Sequence, residues 1–176
     1  GSHCVDLDNR AGARLATDHL IAQGRRRIGT VAGPVDMTAG LDRLAGWRAS
    51  LAAAALPDDA VAYGDFTVGG GAAAVARLLA THPDLDALFV ASDLMASGVL
   101  THLAARGIRV PQDVAVVGFD DLEVAESTHP PLTTVAQPVT EMAARAGRML
   151  ADLLAGVRVP AEPVLFEARL VRRGSA

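Results

Sequence analysis

Cysteine and aromatic residues are scarce in this 176-residue chain, which has one Cys, four Phe, one Trp and one Tyr. The lone Cys4 excludes an internal disulfide and any cysteine-rich zinc site, and is compatible with a reducing compartment. With 3% aromatic and 51% hydrophobic residues, the core must be built from Ala, Val and Leu. Positive charge is not in excess either: 16 basic against 20 acidic residues leave a net charge of −4, which is no electrostatic footprint for nucleic acid. No apolar run approaches the roughly 20 residues of a membrane span, and no secretory signal is visible. There is no G-x-G-x-x-G after the first strand, no Walker loop, no H-E-x-x-H and no nucleophile elbow. His3, His19, His82, His102 and His129 are scattered, and none stands at metal-ligand spacing from another His or Cys. The Gly69–Gly71 run lacks the Lys or Ser/Thr of a phosphate cradle. The sequence therefore calls for no metal, no cofactor and no enzymatic activity.

What is present is organised around Val114–Asp121, VAVVGFDD. Four apolar residues, three of them β-branched, read as a strand buried on both faces. Gly118 is expected to break it, delivering Asp120 and Asp121 at its C-terminal end. Short β runs alternate with helical runs along the rest of the chain. Strands are expected near 5–7, 28–32, 61–63, 88–91, 132–135 and 164–172. Helices are expected near 9–23, 41–55, 69–81, 94–106 and 139–155, with residues 35–40 irregular. Asp8 or Asn9, Thr67, and Ser92 or Asp93 supply N-cap chemistry; Gly24, Gly107 and Gly156 supply C-terminal stops. This is an α/β fold with a doubly wound, mostly parallel sheet, large enough for a single core.

In such a sheet ligands bind outside the carboxyl ends of the strands. Those ends carry Asp65 and Phe66, Ser92 and Asp93, and Phe119 to Asp121, and the loop after the first full strand leads to Asp42 and Arg43. Carboxylates, an Arg, a hydroxyl and an aromatic face suit a small polar ligand with apolar faces, a sugar or a nucleoside. Each residue also has a plain structural reading. Asp93 reads as a helix cap, Asp121 as the cap of a short turn, Asp65 as a bond to its own loop, Arg43 as a surface cation and Phe66 as core.

The ordered set of segments says more than spacing does. It comprises Asp8-Asn9 with Gly12-Ala13; His19-Leu20-Ile21 with Gly24 and Arg27-Ile28; Gly33-Pro34; and Asp42-Arg43-Leu44-Ala45-Gly46-Trp47. It continues with Gly64-Asp65-Phe66; Val90-Ala91-Ser92-Asp93-Leu94-Met95-Ala96; Val110 to Val114; Gly118-Phe119-Asp120-Asp121; and Pro130 to Val135 with Gln137-Pro138. Through nearly its whole length the chain resembles the effector-binding core of the lac-repressor (LacI/GalR) family of bacterial transcriptional regulators. That resemblance implies a periplasmic-binding-protein-like (type I) core of two lobes, with the effector in the cleft between them and a helix-turn-helix ahead of them. Arg43 and Asp120 would be the main hydrogen-bonding contacts to the effector. Phe66 would stack on it, Ser92 would line the pocket, and Gln137 and Val139 would form the wall near the hinge. Ser92 stands where sugar-binding members can carry Asn, and Met37 and Ala39 stand where some members make polar contacts.

The resemblance also implies an organisation. Residues 1–7 would hold a tag remnant (Gly-Ser-His) and a crossover from the N-terminal lobe. Residues 8–135 would be the C-terminal lobe, 136–160 a crossover and helix belonging to the other lobe, and 161–176 a return strand and tail. The expected function is the effector-binding and dimerisation part of a cytoplasmic regulator that senses a sugar or nucleoside-like effector. It would act as a homodimer, through helices near 67–79 and 94–103. It would reach operator DNA only through a helix-turn-helix absent from this chain, and would have no membrane partner. Without the other lobe, the 139–155 helix is expected to pack on a second copy, swap or be poorly ordered. A periplasmic sugar receptor of a transporter and a nucleotide-utilising α/β enzyme are the rival readings, because fold alone does not separate them.

Overall fold

The computed structural model describes residues 4–157, 159 and 162–176. The reading of residues 1–3 as a tag remnant lies outside the described residues. So do positions 158, 160 and 161 of the assigned crossover and return segments.

In chain order the elements are β1 (Val5–Leu7), α1 (Asn9–Ala22), β2 (Ile28–Ala32), α2 (Thr38–Ala53), β3 (Val61–Tyr63), α3 (Val68–Thr81), β4 (Ala87–Val90), α4 (Asp93–Ala105), β5 (Ala115–Asp120), α5 (Glu123–Ser127), β6 (Thr133–Ala136), α6 (Val139–Leu154), β7 (Val164–Phe166) and β8 (Arg169–Val171). Six strands form one sheet in the order β3-β2-β4-β5-β6-β8. All its pairings are parallel except β6 with β8. β1 and β7 form a separate parallel pair. The fold is thus the doubly wound α/β arrangement read from the sequence.

Strand alternation feeds two cores. Ala87 and Phe89 point to one side with Trp47, Leu20, Leu51 and Phe119; Leu88 and Val90 point to the other with Val75, Leu78, Val99 and Leu103. Residues α1 and α2 contribute cover the first face, and those of α3 and α4 the second. Of the chain's few aromatics, Trp47, Phe89 and Phe119 are fully buried on the first face. Phe89 and Phe119 meet edge to face, with ring centroids 6.4 Å apart.

The chain leaves β2 towards β3 and then returns to place β4 on the opposite side of β2. That reversal is the switch point at which connecting loops part and leave a crevice.

Several boundaries differ from the sequence reading. β5 does not break at Gly118 but runs through it to Asp120, with Gly118 facing Thr134 on β6. The glycine is there because a Cβ would strike the Asp93 carboxylate and come within 2.7 Å of Leu132. Helix α2 starts at Thr38, so residues 35–40 hold its first turn, and no side chain caps it. The single strand expected over 164–172 is two: β7 pairs with β1, and β8 turns antiparallel onto β6. The short α5 carried no apolar periodicity to announce it. Helix α6 forms as expected and touches β1, but of its residues only Met149 is buried, and Leu150, Leu153 and Leu154 face outward.

Candidate functional site

The C-terminal rim of the sheet, at the switch point, gathers side chains from five segments. Arg43 comes from α2, Phe66 from the loop after β3, Ser92 from the end of β4, Asp120 from the end of β5, and Gln137 from the turn after β6. Arg43, Phe66, Ser92 and Asp120, with Met37, Ala39 and Leu94, line a hollow of about 220 Å³. Asp120 is also a wall of a larger, open groove of about 620 Å³, which Gln137 and Val139 line with Asp121, Glu141, Glu167 and Arg169. The larger groove is bounded by the exposed start of α6. The smaller hollow brings Arg43, Ser92 and Asp120 together with the Phe66 ring.

Arg43 is not the surface cation that its sequence position allows. It is buried, and the fold engages its Nε and Nη1. Nε donates to Asn9 Oδ1 at 2.8 Å, and Nη1 donates to the Ala91 carbonyl at 2.7 Å. Nη1 also stands 3.1 Å from Asp120 Oδ1, and the guanidinium carbon lies 3.8 Å above the centre of the Phe119 ring. Burial pulls the Arg43 pKa down, and Asp120 opposes the shift. Burial pushes the Asp120 pKa up, against the pull of Arg43 and of the Gln137 amide that donates to it. Each partner makes the other's burial tolerable.

The backbone at this rim is unusual. Phe66, Asp120 and Asp121 have φ of +64°, +109° and +57°, a region that residues with a Cβ seldom enter. Asp121 is tied by Arg173, whose Nη2 donates to it at 2.8 Å, so it is an ion-pair partner and not merely a turn cap. The Phe66 ring lies on Gly33 at the end of β2, where a Cβ would overlap it. Asp65 does make the local bonds its plain reading predicts, accepting from the Thr67 amide and hydroxyl.

Ser92, not Asp93, caps α4, accepting from the Met95 amide at 3.3 Å. Asp93 is fully buried beneath the rim. It accepts from Thr134 Oγ1 at 2.6 Å and from the Leu122 amide at 2.8 Å. Burial, reinforced by Asp120 and Asp121, pushes its pKa up to about 6 although both hydrogen bonds pull it down.

All six residues singled out from the sequence therefore stand along one rim. Arg43, Phe66, Ser92 and Asp120 share one hollow. Gln137 joins them through Asp120, and Val139 stands apart in the neighbouring groove, 62% exposed. Sequence reasoning missed Asn9 as the clamp on Arg43, Phe119 as its floor, and Asp93 as a buried anchor. Only the pairing of α1 with α2 and of α4 with β5 brings these residues in. The arrangement offers a carboxylate acceptor, a fixed cation, a hydroxyl and a ring face. Among the described residues no group of three His, Cys, Asp or Glu could hold a metal ion.

Comparison with known proteins supplies the rest. The family described as "Periplasmic binding protein-like domain" matches residues 17–176. The "HTH-type transcriptional regulator CelR" of Thermobifida fusca is 49% identical over 173 residues, covering 97% of this chain and 51% of that protein. A solved "transcriptional regulator CelR-cellobiose complex" superposes with a TM-score of 0.96 at 47% identity, over 99% of this chain and 54% of the other. A dimeric Lac repressor with a C-terminal deletion superposes with a TM-score of 0.91 at 31% identity, over 96% and 62%. The chain spans about half the length of the curated relatives it matches.

Proposed function

Because the chain belongs to the periplasmic binding protein-like family, with the fold of LacI-type regulator cores, we propose that it is the effector-sensing half-core of a sugar-responsive transcriptional regulator. The observation that carries this reading is the Arg43–Asp120 pair beside Phe66 at the switch point of the sheet. Asp120 accepts from sugar hydroxyls, Ser92 and Arg43 supply donors, and Phe66 covers a face of C–H bonds. Gln137 and Val139 line the approach from the second lobe. Cellobiose, the ligand named with the CelR structure, is the first sugar to test.

The regulator reading is supported over a transport receptor by the relatives, which are transcriptional regulators and repressors. The half of those relatives that this chain does not span would carry the helix-turn-helix and the rest of the second lobe. Residues 8–135 then form one lobe. Helix α6 belongs to the other, a reading supported by its outward Leu150, Leu153 and Leu154. The protein works as a cytoplasmic homodimer, with α3 and α4 contributing to the contact. It binds without turnover, reaches operator DNA through its head alone, and has no membrane partner. Among the described residues no helix is long and apolar enough to cross a membrane. Effector binding favours one closure of the lobes and so shifts the population of DNA-competent dimers.

Calorimetric titration with cellobiose tests the site. Wild type should bind, and Asp120→Ala should bind at least tenfold more weakly, the loss expected when a charged hydrogen-bonding group is removed. Equal affinity of the two proteins for the sugar would remove Asp120 from the site.

A further inference from the structure

We propose that Asp93 is a positioning residue of the effector site, which holds the Asp120–Leu122 turn in its left-handed conformation and so aims Asp120 at Arg43. The proposal rests on the functional reading given above.

Three observations meet at this carboxylate. It has no exposure to solvent, so it touches no ligand directly. Its two oxygens bind two different segments: Oδ1 takes the Thr134 hydroxyl on β6, and Oδ2 takes the Leu122 amide, the residue that follows Asp120 and Asp121. It also packs on Gly118, the one residue of β5 without a Cβ to displace it. The turn it holds contains two consecutive non-glycine residues at positive φ, a conformation that persists only where the surroundings impose it. The Leu122 amide donates to Asp93 in the hydrogen bond that ties that turn to it.

The charged groups around Asp93 sharpen the expectation. From the end of β5 it faces Asp120 and Asp121, and Arg43 on α2 is a cation that feels it. Arg173 pairs with Asp121 and with Glu126, and β6 presents the uncharged Thr134. Ionised Asp93 is thus opposed by two carboxylates, yet it accepts from the Leu122 amide more strongly as a carboxylate than as the neutral acid. Its burial raises its pKa into the mildly acidic range, so that bond weakens as the pH falls through about 6.

Asp93→Asn is the variant of choice. Its amide oxygen can still accept from Leu122 and its NH₂ can donate to Thr134, so the packing is kept and the charge is lost. In the wild-type chain the Leu122 amide resonance should titrate with a midpoint near pH 6. In Asp93→Asn that step should vanish, and in Thr134→Val, which removes one bond to the ionised form, its midpoint should move up. At pH 7.5 Asp93→Asn should bind cellobiose about fivefold more weakly, because a smaller fraction of the turn is competent. Its urea midpoint should not fall. Weaker binding in a variant that is no less stable separates positioning from mere support of the fold.

A Leu122 step that survives in Asp93→Asn, or unchanged cellobiose affinity in that variant, would overturn the proposal. If wild type bound no cellobiose at any pH, the choice of sugar would fall. The titration of Leu122 would still decide the role of Asp93.

Discussion

A buried carboxylate that is ionised at neutral pH should destabilise its own fold, and Asp93 provides a measurable case. Its ordinary pKa of 3.8 is raised to about 6 in the folded chain. Between those two values the folded state keeps a proton that the unfolded state has released. Stability therefore falls as the pH rises through that window and levels off above about 6. At about 1.4 kcal/mol per pH unit, the difference between 3.8 and about 6 amounts to about 3 kcal/mol. Asp93 has no exposure, so solvent screening does not reduce this figure. Asp120, also raised, contributes with the same sign, whereas Asp113, lowered to about 2 by Arg109, contributes with the opposite sign. Asp113 is present in wild type and in Asp93→Asn and cancels when the two are compared, whereas Asp120, which repels ionised Asp93, loses that repulsion in the variant, a further gain for Asp93→Asn of the same sign. The advantage of Asp93→Asn over wild type should grow by about 2.5 kcal/mol between pH 4 and pH 7, since part of the full linkage is already in place at pH 4. In urea, where a small protein loses about 1–3 kcal/mol per molar, this is a relative midpoint shift of about 1 M or more. A stability difference that stays constant across that range, or shrinks as the pH rises, would refute the reasoning.

Three further outcomes follow from the same geometry. Arg43→Met leaves Asp120 without its buried counter-charge and should cost about 3–5 kcal/mol in urea denaturation; a loss under about 1 kcal/mol would make the pair no stronger than a surface ion pair. Gly118→Ala pushes a methyl group into the Asp93 carboxylate and Leu132, and should cost about 1–3 kcal/mol by the same assay; a neutral result would show that the strand can shift to admit it. At Phe66, φ of +64° should make Phe66→Gly more stable than Phe66→Ala by about 1 kcal/mol in thermal unfolding, the reverse of the order in a regular element.

The ordered motifs from Asp8 to Pro138 pointed to the family correctly, since family-specific residues lie at loops and strand ends that recur with the fold. The same motifs placed Arg43, Phe66, Ser92 and Asp120 together, and in the structure they line one hollow. Elsewhere the local signal misled. Gly118 looked like a strand end because glycine weakens strands, yet β5 passes through it to leave room for a side chain from α4. Asp93 looked like a helix cap because it precedes an apolar helical run. The cap is its neighbour Ser92, and only the position of β6 and of the turn after β5 gives Asp93 its partners. The strand expected over 164–172 read as continuous because hydrophobic pattern says nothing about which sheet a residue joins.

The sequence by itself determined the doubly wound fold, the family and the rim on which polar residues collect. The fold and the rim follow from hydrophobic period, capping residues and turn residues, which act over a few positions, whereas the family came from the resemblance carried by the ordered motifs. Only the tertiary structure decided what those polar residues are. Arg43 became a buried cation because α1 brought Asn9 to it and β5 brought Asp120 and Phe119. Asp93 became an anchor because two strands and a turn close over it. Charge in a protein is set by distance and burial, and residues separated by tens of positions acquire both only when the sheet assembles.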